Sequence, residues 1–195
     1  IFTTSLIFLI PLLNEKNDYS NTLKKRGDYN FKSAINYSLL NKNFILLILG
    51  YFTCGFHVTF ISLHLPNDLI SKGISINIAG WSLAMIGLFN IFGSLFFGWL
   101  GNKILKKISL AVIYLARSIV ITIFIISDPS PYIALIFGSL MGLLWLATVP
   151  LTNGIILTFM GTKYLGTLGG VAFMSHQAGA IIGAWSGGYI FDYYG

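Results

Sequence analysis

Charged side chains are scarce in this chain of 195 residues. They make up 9% of the sequence and only six of them are acidic, whereas soluble domains carry about 25% charged residues. Because 55% of the residues are hydrophobic, so few charges cannot cover the surface of a water-soluble globule. The composition therefore excludes a soluble enzyme, a secreted disulfide scaffold and a disordered tail, and it indicates an integral membrane protein.

Cysteine and the usual catalytic motifs are scarce as well. Cys54 is the only cysteine, so an internal disulfide and a cysteine metal cluster are excluded. The sequence has no Cys/His metal spacing, no glycine-rich phosphate loop and no Gly-x-Ser-x-Gly elbow. We predict no metal, no cofactor and no enzyme activity. The net charge of +6 lies between apolar runs without a basic–aromatic motif, which argues against nucleic-acid binding.

Long apolar runs account for most of the remaining sequence. A membrane-spanning helix needs about 20 mostly apolar residues, and the runs of this length predict five spans, at 44–65, 78–100, 108–126, 132–160 and 165–191. The opening run, 1–13, is too short to cross and has no initiator methionine and no basic N-terminal region, so it predicts the end of a further helix rather than a signal peptide.

The loop charges predict the orientation of these spans. The 14–43 segment, the 101–107 loop and the 161–164 loop fall on one side, and they hold ten of the twelve lysines and arginines. The opposite side holds Lys72, together with Asp68 and Asp128. An excess of cationic residues marks the cytoplasmic side. The polar segment 14–43 is interpreted as a cytoplasmic linker with a surface helix at 31–40, either solvated near anionic lipid or used for regulatory docking.

Two features concern helix packing. Small residues at four-residue spacing allow membrane helices to approach closely; they occur near Gly87, Ser94 and Gly98 and in a second stripe of Ser175, Gly179, Gly183 and Gly187. The stripes fit either static packing or a moving interface. Pro150 lies inside the fourth span and predicts a kink, which is either fixed or a hinge.

Polar side chains at mid-depth are costly in hydrocarbon and are therefore informative. At 1.5 Å per residue, several lie about 16–20 Å into their spans. We expect them to converge near the bilayer midplane, as interhelical hydrogen bonds or as the lining of a substrate cavity. They are His57, Asn90, Trp145, His176 and Gln177.

Arg117 is the most costly residue of all. It lies about 13 Å from the cytoplasmic start of its span, and translocon scales give its insertion cost as about 2.5–3.5 kcal/mol. No acidic residue of this sequence lies at a similar depth. Arg117 therefore snorkels toward the cytoplasm or finds a carbonyl, a residue outside this chain, or an anionic ligand.

The loop after the second span resembles the G-x-x-x-D-[RK]-x-G-[RK]-[RK] loop of the major facilitator superfamily, in the weaker copy of its C-terminal half. Gly98, Lys103, Lys106 and Lys107 match it, whereas Asn102 replaces Asp and Leu105 replaces Gly. The stretches 142–154, 166–170 and 175–177 and the ending 187–195 are similar to bacterial permeases related to monocarboxylate transporters.

This resemblance implies an all-α membrane bundle. Residues 1–13 become the end of helix 6, 14–43 the central cytoplasmic loop and 44–195 helices 7 to 11, with helix 12 and the N-terminal half absent. It places His57 and Trp145, on helices 7 and 10, at the central cavity. It places helices 8 and 11, with the small-residue stripes, against the N-terminal half, and Arg117 on the peripheral helix 9.

The function that follows is secondary active transport of a small solute by alternating access, driven by a gradient. The resemblance suggests an organic anion such as a monocarboxylate. A coupling proton is a candidate partner for His57 or His176, because an unperturbed imidazole has a pKa of about 6.5. The location expected is a bacterial inner membrane. The rival hypothesis is a non-transporting receptor or scaffold with a transporter fold, supported by the altered loop at Asn102 and Leu105.

Overall fold

The computed structural model describes residues 30–194, and this part of the chain is helical throughout, without a strand. The helices are α1 (Phe31–Leu40), α2 (Lys42–Ser71), α3 (Ile76–Leu100), α4 (Lys106–Ile126), α5 (Pro131–Leu144), α6 (Thr148–Met160) and α7 (Leu165–Tyr194). The prediction of an all-α membrane bundle is confirmed. The prediction for 1–13 and that for the first part of the linker lie outside the described residues.

The predicted surface helix at 31–40 is present as α1. The Asn30 side chain accepts a hydrogen bond from the backbone N–H of Ser33 at 2.9 Å and so caps its first turn. Asn41 then ends α1 and caps α2. Tyr37 and Phe44 both stack on Phe159 of α6, so α1 packs against the neighbouring ends of α2 and α6.

The predicted spans correspond to α2, α3, α4, the α5–α6 pair and α7. Four of these, all but α7, are long and apolar enough to cross a membrane by length and composition. Helix α7 has 30 residues, but its glycines, Ser175, His176 and Gln177 make it less apolar. The first span is predicted to end at residue 65, and the helix that contains it is longer. Helix α2 continues through Pro66 to Ser71, because neighbouring groups can compensate for a proline in a membrane helix.

The span predicted at 132–160 corresponds to one apolar candidate span, Pro131–Phe159, and the predicted kink takes the form of an interruption between two helices, α5 and α6. The helical hydrogen bonding stops at Leu144 and resumes at Thr148, which we call the break (residues 145–147). Pro150 lies in the first turn of α6, where no backbone donor is needed. A proline clashes with the carbonyl four residues earlier, here that of Leu146. The proline therefore explains the break, although the break lies upstream of it.

Glycines bring two pairs of helices into backbone contact. A Cβ atom on Gly55 of α2 would overlap the backbone of His176 of α7, and one on Gly179 or Gly183 would overlap α2 at Phe52 or Phe56. Gly187 lies against the His64 ring. The stripe on α7 therefore packs on α2 inside this bundle. In the α3–α5 pair the close contacts come from Gly93, Gly138 and Gly142, whereas Gly87 has open space.

The two ends of the bundle are consistent with the predicted grouping of the loops. At one end Lys72 lies over the ring of Phe124, 5.9 Å from its centroid, which brings together the ends of α2 and α4. At the other end the Lys106 stem crosses Gly154 and α1 packs near Phe159. The lysine-rich loops thus share one end.

Engineered cysteines test which end is cytoplasmic. We expect cysteines placed at Asp68 or Asp128 to react with an impermeant thiol reagent added outside the cell, and one at Lys106 to react only after permeabilisation. The parent chain is the control, because its own Cys54 is fully buried and should remain unlabelled. The reverse labelling pattern would contradict the orientation.

Candidate functional site

The break between α5 and α6 leaves backbone polar groups without helical partners in the middle of a span. Such groups need other partners in a membrane interior. Two side chains from neighbouring helices supply them, Arg117 of α4 for the carbonyls and Asn90 of α3 for an amide. Leu144 belongs to one hydrophobic cluster and Trp145 to the other, so the break lies between the two parts of the core.

Arg117 is completely buried and holds the end of α5. Its Nε donates to the Leu144 carbonyl at 3.1 Å, and its Nη2 donates to the carbonyls of Leu144 and Trp145. A cation at a helix C-terminus also interacts favourably with the helix dipole. Of the alternatives, the structure therefore favours the carbonyl partner, and Arg117 does not snorkel.

Asn90 holds the next group along the chain. Its Oδ1 accepts a hydrogen bond from the backbone N–H of Leu146 at 3.0 Å. This N–H belongs to the same peptide group as the Trp145 carbonyl that Arg117 contacts. One peptide group of the break is therefore hydrogen-bonded at both ends, to Arg117 on one side and to Asn90 on the other.

Cys54 and Thr148 extend this arrangement to α2 and α6. Arg117 Nη1 donates to Cys54 Sγ at 3.2 Å, and Cys54 Sγ lies 3.3 Å from Thr148 Oγ1. Tyr114 stacks near the guanidinium, 5.7 Å away, and donates its hydroxyl to the Gly50 carbonyl at 2.7 Å. Two backbone carbonyls and the Cys54 sulfur thus engage the Arg117 guanidinium, and within residues 30–194 no carboxylate contacts it.

The remaining predicted cavity residues lie around the α2–α7 contact. His176 is buried, with its Nδ1 3.2 Å from Gln177 Oε1, and its ring lies against Tyr51. Gln177 is exposed. His57 is buried, and its Nδ1 has no hydrogen-bond partner in the described part of the chain. The structure therefore brings Asn90 together with Trp145, and His176 with Gln177; a single cavity lined by all five residues stays a prediction.

Comparison with known proteins adds the family. The sequence profile of the Major Facilitator Superfamily matches residues 3–195. The chain belongs to this superfamily. It is also 27% identical over 194 residues to a protein of Bacillus subtilis (strain 168) named "Uncharacterized MFS-type transporter YcxA", with 94% of this chain covered. The chain spans 47% of the length of that relative. No solved structure matches significantly.

The loop that resembles the superfamily motif lies at the end of α3. Gly98, at its start, faces Pro150, and Gly101 lies against Leu151 of α6. Asn102 and Lys103 are exposed, and Lys106 begins α4, where its stem covers Gly154. The loop therefore packs on the first turns of α6, close to the segment that follows the break.

The sequence-based reasoning missed the residues that connect Arg117 to the other helices. Cys54 was considered only for disulfides and metals, and Thr148 and Tyr114 were not singled out. A signal was present, because Cys54 and Thr148 are small polar residues deep within apolar spans, where hydrogen bonds between helices form. Gly55 and Gly93 were missed because each is a single contact rather than part of a stripe.

Proposed function

We propose that the full-length protein transports a small organic anion across the membrane by alternating access, driven by a gradient. Superfamily membership supports the general part of this proposal, namely that the protein is a multi-pass membrane protein of a transporter family. Secondary transporters bind their solutes near the midplane, often beside interrupted helices. The break at residues 145–147 is such an interruption and supports a binding site next to it.

The anionic class of solute rests on the charge of the interior. Arg117 is fully buried and is the only charged residue at mid-depth between residues 30 and 194. The acidic residues of that range, Asp68, Asp128 and Asp192, lie near helix ends. The field of this positive charge, which no carboxylate of the range contacts, disfavours a cationic solute near the break and favours an anion. This observation supports an organic anion such as a monocarboxylate.

The orientation, the type of membrane and the presence of an N-terminal half are parts of the same proposal. The lysine-rich end is the cytoplasmic one, the membrane is a bacterial inner membrane, and an N-terminal half of the same polypeptide completes the transporter. The B. subtilis relative, about twice as long, supports the last two points. A proton is proposed as the coupling ion, with His57 and His176 as the groups that would exchange it.

Uptake by reconstituted protein tests the function. We expect full-length protein in proteoliposomes to accumulate a radiolabelled monocarboxylate when an inward proton gradient is imposed, and to lose accumulation when an ionophore removes the gradient. Protein-free liposomes are the control. Uptake that ignores the gradient would contradict proton coupling. No uptake of any solute in a broad panel would favour the receptor hypothesis.

A further inference from the structure

Asn90 has an amide oxygen that is held by the break and an amide nitrogen that is not. Its Oδ1 is occupied by the Leu146 N–H at 3.0 Å, which fixes the orientation of the amide because a backbone N–H can only donate. The Nδ2 group must then point away from the break with two hydrogens to donate. Within residues 30–194 no acceptor takes either hydrogen, and the residue is only half-buried.

The Nδ2 group is also the end of a hydrogen-bonded chain that begins at a charge. The Arg117 guanidinium donates to the Trp145 carbonyl; the N–H of the same peptide group, on Leu146, donates to Asn90 Oδ1. Hydrogen bonds arranged in series polarise one another. The positive charge of Arg117 therefore strengthens the Nδ2 hydrogens of Asn90 as donors, although Arg117 itself is enclosed.

We propose that Asn90 binds the carboxylate of the transported anion through its Nδ2 hydrogens, and that Arg117 is a positioning residue that acts through the Trp145–Leu146 peptide. This assignment rests on the proposed function and specifies its binding residue. It explains how a buried cation, whose guanidinium already donates to groups of the protein, contributes to the binding of an anionic solute. The solute meets a neutral, correctly oriented amide rather than the guanidinium.

The break explains why the chain is built in this way. A continuous helix would use the Leu146 N–H internally, for the carbonyl four residues earlier, and Asn90 would then be free to rotate. Because Pro150 interrupts the helix, the N–H becomes available to orient Asn90. The break therefore has two effects. It avoids the clash between the Pro150 ring and the Leu146 carbonyl, and it frees the Leu146 N–H that orients the Asn90 amide.

Binding to purified full-length protein tests the proposal directly. The probes are acetate, propionate, lactate and benzoate, and their neutral amides serve as ligand controls. We expect the parent protein to bind at least one carboxylate and to bind the matching amide more weakly. In Asn90→Asp an oxygen still accepts from Leu146, but the donors are replaced by a negative charge. Carboxylate affinity should fall by about tenfold or more.

Two further variants separate this site from general effects. Asn90→Ala removes the donors without adding charge and should also weaken carboxylate binding. Asn77→Asp makes the same change of an amide to a carboxylate at an exposed position near the start of α3, outside the hydrogen-bonded chain, and should change affinity much less. Melting temperatures of all variants identify any that fail to fold, and for those Asn90→Ser replaces the failed variant.

The outcomes distinguish the two levels of the proposal. Undiminished carboxylate binding by folded Asn90 variants, or an equal loss in Asn77→Asp, would overturn the assignment of Asn90. A parent protein that binds none of the carboxylates would overturn it as well, while gradient-driven uptake of other solutes remains measurable. Binding that depends on Asn90 but is never followed by uptake would instead contradict the proposed transport.

Discussion

Replacing Arg117 by glutamine should lower the stability of the protein while leaving the ligand affinity of the folded fraction within about tenfold of the parent. The guanidinium is the partner of the Leu144 and Trp145 carbonyls, and glutamine can reach at most one of them. A buried carbonyl left without a donor costs about 1–3 kcal/mol. We expect a lower melting temperature and a lower yield of folded protein, measured in detergent and in membranes.

Two matched variants are the controls for this result. Arg117→Lys retains the charge and a donor for the carbonyls, so it should recover part of the stability. Lys72→Gln removes the same charge from the exposed pair with Asp68, 2.8 Å away, and surface pairs contribute only about 0–1 kcal/mol. A stable Arg117→Gln protein that lost far more than about tenfold in affinity would exceed the effect of a positioning residue and would instead identify Arg117 as a direct ligand.

Gly179→Ala should destabilise the protein strongly, although alanine is normally the better helix residue by about 0.5–1 kcal/mol. A Cβ atom at residue 179 would overlap the backbone of Phe52, which cannot move aside as a flexible side chain can. Helices α2 and α7 would have to separate along a contact that also includes Gly183. Overpacking of this kind costs about 1–3 kcal/mol or more, measurable as lost folded yield and a lower melting temperature.

Gly170→Ala on the same helix is the control for this prediction. A Cβ atom there has open space around it, so the substitution should be neutral or slightly stabilising through the lower entropy of the unfolded chain. If both alanine variants behaved alike, the close α2–α7 contact would be refuted. The comparison also separates static packing from a moving interface, because a moving interface predicts changed transport with unchanged stability.

That this is a helical membrane protein, and where most of its helices lie, could be predicted from the sequence. Scarce charge and long apolar runs can only be accommodated by membrane-spanning helices, because helices satisfy their own backbone hydrogen bonds in lipid. The cost of Arg117 and the effect of Pro150 are likewise local properties, so the need for a partner and the interruption of the fourth span were both predictable. The helix at 31–40 was predictable for the same reason, since its cap and its end at Asn41 are encoded within a few residues.

The partners of these side chains and helices follow from the packing of the bundle and could not be predicted from the sequence. Pro150 specifies that a hydrogen bond is missing, but the supply of donors by Arg117 and of an acceptor by Asn90 depends on how α3 and α4 lie beside the break. The glycines of α7 predict that another helix can pack closely on α7. The contact of Gly55 with the α7 backbone shows that this helix is α2. Periodicity along one helix cannot identify a partner, because the partner's side chains come from residues far away in sequence. The orientation of Asn90, and with it the proposed binding site, follows from that long-range packing.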